Sequence, residues 1–179
     1  MSELSPAYLK LVDVAARSRK NADELPAQTE AVTFWTGVGF TLDGNQYVAS
    51  MDEISEILSV PRFTQVPGVQ TWVRGISNVR GRLMPVMDLL TFLNKKSEIQ
   101  WKRRRLLVIE SGELYSGLVV DRVLGMQHFP VGNFVNELPA SYSVTKDYLN
   151  GGYTSEKGTW GLFSLRKLAS DPRFLNVAS

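Results

Sequence analysis

Runs of β-branched and apolar residues, each turned back on itself by a glycine, confine this chain to antiparallel hairpins. Phe40-Thr41-Leu42 alternates, Asp43-Gly44-Asn45 follows, and Gln46-Tyr47-Val48 resumes the pattern. An Asp-Gly pair between such runs supplies the left-handed backbone that a two-residue hairpin needs. Ile76-Ser77-Asn78-Val79, Arg80-Gly81 and Arg82-Leu83-Met84-Pro85-Val86 repeat the arrangement. Leu106-Leu107-Val108-Ile109 and Leu114 to Val120 form a third pair around Glu110-Ser111-Gly112-Glu113. Pro85 has no amide hydrogen to give a ladder, so its strand is expected at an edge or interrupted there. Many short strands with regular turns point to small barrels.

Helical signals are brief. Residues 69–74 read as one or two turns stopped by Gly75. Asp88 is placed to cap a turn from Leu89 to Leu93, which Asn94 ends. Ser164 is placed to cap Leu165 to Ala169, with Pro172 limiting that helix. Residues 1–31 follow another pattern. Leu4, Tyr8, Leu11, Val12 and Ala15 recur there at helical spacing, and a polar stretch with Pro26 follows. The division expected is a helical extension and linker over 1–31 and a strand-rich domain over 32–179.

Little in the chain does chemistry. There is no cysteine, so disulfides and thiolate metal sites are excluded. His128 is the only histidine, too few for a metal centre and without a nucleophile elbow to serve. It reads as a partly exposed loop residue. Gly37-Val38-Gly39 lacks the third glycine of a dinucleotide loop, and no Gly-Lys-Ser or Gly-Lys-Thr phosphate loop occurs. Asp52, Glu53 and Glu56 read as a solvated acidic face. Trp101-Lys102-Arg103-Arg104-Arg105 could hold phosphates and stack a base, which makes a small-barrel nucleic-acid binder the alternative reading. Yet the net charge is only +2, acids lie close by, and a strand would send alternate arginines to opposite faces. Solvation or salt bridging is the expected role. The N-terminus lacks the basic start and apolar run of a secretory signal, and no stretch approaches a membrane span, so a cytoplasmic location is expected.

One constellation carries a resemblance. Phe40 to Tyr47 leads to Ile54-Ser55-Glu56-Ile57, then Val66-Pro67, then Arg74-Gly75-Ile76-Ser77-Asn78-Val79-Arg80-Gly81. Leu83-Met84-Pro85-Val86-Met87-Asp88-Leu89 and Gly117-Leu118-Val119-Val120-Asp121-Arg122-Val123 complete it. This order resembles the CheW-like family of chemotaxis coupling proteins. The N-terminal extension and the ending from Trp160 to Phe174 are similar to the coupling proteins of type IV pilus (twitching motility) chemosensory systems. Ile54, Val79 and Asn94 depart mildly from the family pattern. The resemblance implies a mostly β fold: two SH3-like five-stranded barrels sharing a hydrophobic core, the first completed by strands near the C-terminus such as Gly158 to Phe163. It implies a non-enzymatic adaptor without cofactor. Its partners would be the cytoplasmic tip of a methyl-accepting chemoreceptor and the regulatory domain of a CheA-type histidine kinase. No nucleic acid is implied, and a membrane would be reached only through receptors.

The resemblance also suggests a surface. Ile54, Glu56 and Ile57 carry the receptor-facing segment, an apolar pair beside a carboxylate that suits a docking helix. One of the two isoleucines is expected in the core. Arg80, at a hairpin tip, could fork onto a partner or bridge internally to Glu56 or Asp88. Val123, Leu124 and Met126 follow the Val-Asp strand and would complete the groove, with Val123 equally suited to the core. Gly75 and Gly81 read as backbone devices, Asp88 as a cap and Asp121 as a strand-end acid.

Overall fold

The structure, a computed structural model, describes residues 32–178 except Glu113. The expected N-terminal helix and its boundary at residue 31 lie outside these residues.

Eleven strands are described. They are β1 (Phe34–Leu42), β2 (Asn45–Ser50), β3 (Glu56–Ser59), β4 (Val73–Val79), β5 (Arg82–Asp88) and β6 (Arg105–Ser111). Then come β7 (Leu114–Val120), β8 (Arg122–Pro130), β9 (Phe134–Val135), β10 (Leu149–Ser155) and β11 (Gly158–Phe163). Three short helices are α1 (Leu89–Phe92), α2 (Leu165–Ala169) and α3 (Pro172–Leu175). One sheet runs β8-β1-β2-β11-β10-β9 and the other β3-β6-β7-β5-β4. The first thus has six strands rather than the expected five, because β8 crosses to it and the two-residue β9 extends its far edge. As expected, β11 returns to the first lobe, where it lies parallel to β2.

The expected hairpins form. Leu42 pairs with Asn45 across Asp43 and Gly44, whose φ angles of 50° and 76° are both left-handed. Val79 pairs with Arg82 across Arg80 (52°) and Gly81 (83°) in the same way. Two positive φ angles give the turn whose twist matches that of the strands. In the third hairpin the strands run on to Ser111 and from Leu114, a narrower turn than expected. Pro85 is not at an edge, since β5 lies between β7 and β4. The ladder to β7 begins only at Val86, so the proline stands where that pairing has not started.

Residues 69–74 are not helical. They form a turn leading into β4, and Gly75 sits within that strand at a register shift. A Cβ there would lie 2.2 Å from the Thr64 carbonyl oxygen. Thr64 and Ile76 exchange backbone hydrogen bonds of 2.8 and 2.9 Å, so the loop after β3 closes onto β4. Gly75 is therefore required by a distant segment rather than by a helix end.

The runs Leu106 to Ile109 and Leu118 to Val120 are apolar at every position because both faces of β6 and β7 are covered. Leu107, Ile109, Leu118 and Val120 join Phe40, Leu42, Tyr47 and Phe163 of the other sheet in one shared core. Leu106, Val108 and Val119, one step out of phase, fill the second lobe with Met84 and Val86. Val48, Phe129, Tyr153 and Trp160 fill the first. α3 plugs the shared core with Phe174, stacked on Trp72 at 5.4 Å and edge-on to Phe92 at 5.3 Å. Ser164 caps α2 as expected, accepting from the Lys167 amide. Pro172 begins α3 rather than merely ending α2.

Candidate partner-binding surface

Glu56 lies on β3, one edge of the second sheet, and Arg80 at the turn leaving β4, the other edge. The sheet curls until they meet: Arg80 Nη2 donates to Glu56 Oε1 at 2.6 Å. The internal bridge foreseen for Arg80 thus forms with Glu56. The arginine side chain nevertheless remains 79% exposed, against 25% for the glutamate. Asn78 Oδ1 accepts from the Gly81 amide at 2.8 Å and fixes the turn from beneath. Strain at this turn is shared, since Arg80 itself has a left-handed backbone.

Residues opposite one another in a ladder share a face. Ile57 pairs with Leu107, a shared-core residue, so it faces the junction of the lobes while staying 41% exposed. Ile54 packs against the same core, the one of the two isoleucines that does. From the first sheet Val123 pairs with Phe40 and also packs on the shared core. The structure thus brings Ile54, from the segment before β3, and Val123, from β8, to one core, and leaves Ile57 exposed at its side of β3. Leu124 and Met126 stand exposed on β8, an edge strand with a register shift beside Gly125. Leu124 borders a cavity of about 470 Å³ with Thr41, Asp43, Asp121 and Arg122, which neither Glu56 nor Arg80 lines.

Behind this surface lies a buried cluster that sequence reasoning did not assemble. Arg104, 3% exposed, donates Nη1 to Asp88 Oδ2 at 2.9 Å and Nη2 to Asp88 Oδ1 at 2.8 Å. Its Nε lies 3.6 Å from Asp121 Oδ1 without a hydrogen-bond partner of its own. Asp121 also accepts from the Asp43 amide at 3.0 Å and from the Ser97 hydroxyl. One carboxylate therefore ties the first hairpin of one lobe to the strand entrance of the other. Asp88 does precede α1, but its side chain makes no cap, being taken by Arg104. The available signal was the strand period, which turns one arginine of a basic run inward while its neighbours stay outside.

The acids at 52–56 do not form a solvated face. Glu53 receives the Leu165 amide at 3.0 Å and caps the start of α2, while Asp52 pairs with Arg166. His128 lies in β8 rather than in a loop, exposed and 2.8 Å from Thr36 Oγ1. Trp101 is turned inward, edge-on to Phe63 at 5.9 Å and packed against the second lobe's core. That leaves the basic run without a free aromatic face, and the nucleic-acid alternative finds no support. Among the described residues no group of His, Cys, Asp and Glu is gathered for a metal, and no helix is long and apolar enough to cross a membrane.

Comparison with known proteins gives concordant matches. The model of the CheW-like domain matches residues 36–173. Protein PilI of Pseudomonas aeruginosa is 46% identical over 178 residues, 99% of each chain. The chemotaxis protein CheW of Helicobacter pylori is 30% identical over 68% of this chain and 69% of its own. FrzA of Myxococcus xanthus is 33% identical over 47% of this chain and 52% of its own. The crystal structure of the scaffolding protein TtCheW from Thermoanaerobacter tengcongensis aligns with a TM-score of 0.63 at 21% identity, over 73% of this chain and 88% of that one, a likeness of fold.

Proposed function

The chain belongs to the family of CheW-like domains, and on that basis we propose which of its residues make it a coupling adaptor. It is a non-enzymatic adaptor of chemosensory signalling, of the kind that joins chemoreceptors to a CheA kinase. The full-length likeness to PilI supports assignment to a pilus-linked, twitching pathway. The receptor contact is its cytoplasmic tip and the kinase contact its regulatory domain. The adaptor works in the cytoplasm and reaches the membrane only through receptors.

The observation that carries the reading is the Glu56–Arg80 pair, which leaves its guanidinium largely exposed on the strand that also carries the exposed Ile57. An exposed ion pair contributes little to folding, about 0–1 kcal/mol. What it does is hold a planar guanidinium, largely open to solvent, over one face of β3, the strand whose other face carries the exposed Ile57 toward the junction of the lobes. A partner helix can take the guanidinium with its own carboxylate and cover Ile54, Ile57 and Val123. Leu124 and Met126 extend the apolar contact along β8. The test pairs two measurements on Arg80→Ala: thermal unfolding, and affinity for the receptor tip and the kinase regulatory domain. Folding should lose under about 1 kcal/mol, and binding about 2–5 kcal/mol. Unfolding with unchanged binding by the remaining folded protein would make Arg80 a turn pin and move the interface elsewhere.

A further inference from the structure

Lys102, Arg103, Arg105 and Arg122 line one cavity of about 450 Å³ together with Ile99 and Val123. The cations come from three places: the turn Trp101–Arg103, the start of β6 and the start of β8. None of the four makes an ion pair among the described residues, although Arg80, Arg82, Lys95, Arg104, Arg166 and Arg173 all do. Arg105 is fixed in the wall, its Nη1 donating to the Arg104 carbonyl at 3.0 Å. Glu98 borders the adjoining cavity that Arg122 also lines, but does not pair with it. With a net charge of +2 on the whole chain, this concentration of cations is local.

We infer that this cavity receives an acidic protein segment, whose carboxylates meet the four cations and whose apolar side chain rests on Ile99 and Val123. The inference deepens the coupling reading, because Val123 belongs to both surfaces and the segment is part of the partner docked there. A polypeptide fits better than a nucleic acid. Ile99 and Val123 add half-buried apolar lining to the cations, and the aromatic of the basic run, Trp101, is packed inward and cannot stack a base. Guanidinium groups take carboxylates in a planar fork, and three of the four cations are arginines.

The probe is a decaglutamate peptide titrated into the isotope-labelled full chain, followed by amide NMR at about 50 mM and about 300 mM salt. The expected result is saturable shifts centred on Ile99, Arg103, Arg105, Arg122 and Val123, weakened by the higher salt. The double variant Arg103→Glu/Arg122→Glu should lose about tenfold in affinity through like-charge contact. Lys157→Glu, on the exposed β10–β11 turn, should bind as the parent does. Absent shifts, shifts centred elsewhere, or equal loss in Lys157→Glu would overturn the inference. So would an oligothymidylate of equal charge that moves the same amides at lower concentration. Failure here leaves the coupling reading standing, since that is judged by Arg80→Ala against receptor and kinase.

Discussion

Arg104 and Arg80 show how the same side chain serves opposite ends. Arg104 is desolvated with two carboxylates, and removing it strands both in the interior. Breaking a buried pair on one side costs about 3–5 kcal/mol, so Arg104→Ala should shift the urea midpoint far more than Arg80→Ala. Comparable midpoints for the two variants would contradict the assignment. Tyr47 gives a second handle. Its hydroxyl is held 3.1 Å from Thr145 Oγ1, and burial pushes its pKa up to about 12. Tyr148 is pushed up to about 12 as well, by burial and then by the adjoining Asp171 carboxylate. A raised phenol pKa favours the neutral form in the fold. The stability it carries is whole below the unfolded value of about 10 and is lost as pH rises toward the folded one. Melting temperature should fall steeply above about pH 10, and less steeply in Tyr47→Phe. An unchanged slope in that variant would remove Tyr47 from the account.

Among the elements, the hairpins were readable because each turn and both its strands lie close together in the chain. Arg80-Gly81 and Asp43-Gly44 carry the left-handed requirement in their own composition. Gly75 misled for the opposite reason: the carbonyl that excludes a side chain there belongs to Thr64, well back in the chain and folded over. Asp88 misled likewise, because its partner enters from the segment after α1. Of the candidate surface, the split between Ile54 and Ile57 and the packing of Val123 followed from what apolar residues at a lobe junction must do. The Arg104 cluster needed three separate segments and could not be read locally. The last element, α3, anchors by one side chain. Phe174 is fully buried between Trp72 and Phe92, and Arg173 and Tyr148 hold the Asp171 carboxylate well below its usual range. Phe174→Ala should cost about 3–5 kcal/mol in chemical denaturation. A loss near that of a surface change would mean α3 rests on the fold without supporting it.

In the molecule as a whole, the two sheets are built from the chain in different ways. The second takes five strands from residues 56–120 without interruption. The first takes strands from both sides of that block and is joined through the parallel β2–β11 ladder, where Gln46 meets Trp160. A chain ending at residue 157 lacks β11 and the buried Trp160, Phe163, Leu165, Leu168 and Phe174. Its thermal unfolding, followed by circular dichroism, should be broad rather than cooperative. A truncated chain that still melts cooperatively near the parent temperature would show that β11 is an accessory to the first lobe.

The β2–β11 ladder also sets an order in time. On the ribosome, β1 and β2 emerge early but wait for their parallel neighbour until most of the remaining chain has been made. The block from β3 to β7 can pair within itself as it appears. Ile54 and Glu56 therefore emerge long before the lobe that must face them is finished. Val123 follows that block and β11 follows later still, so the surface proposed for partners is whole only when nearly all of the chain has been made.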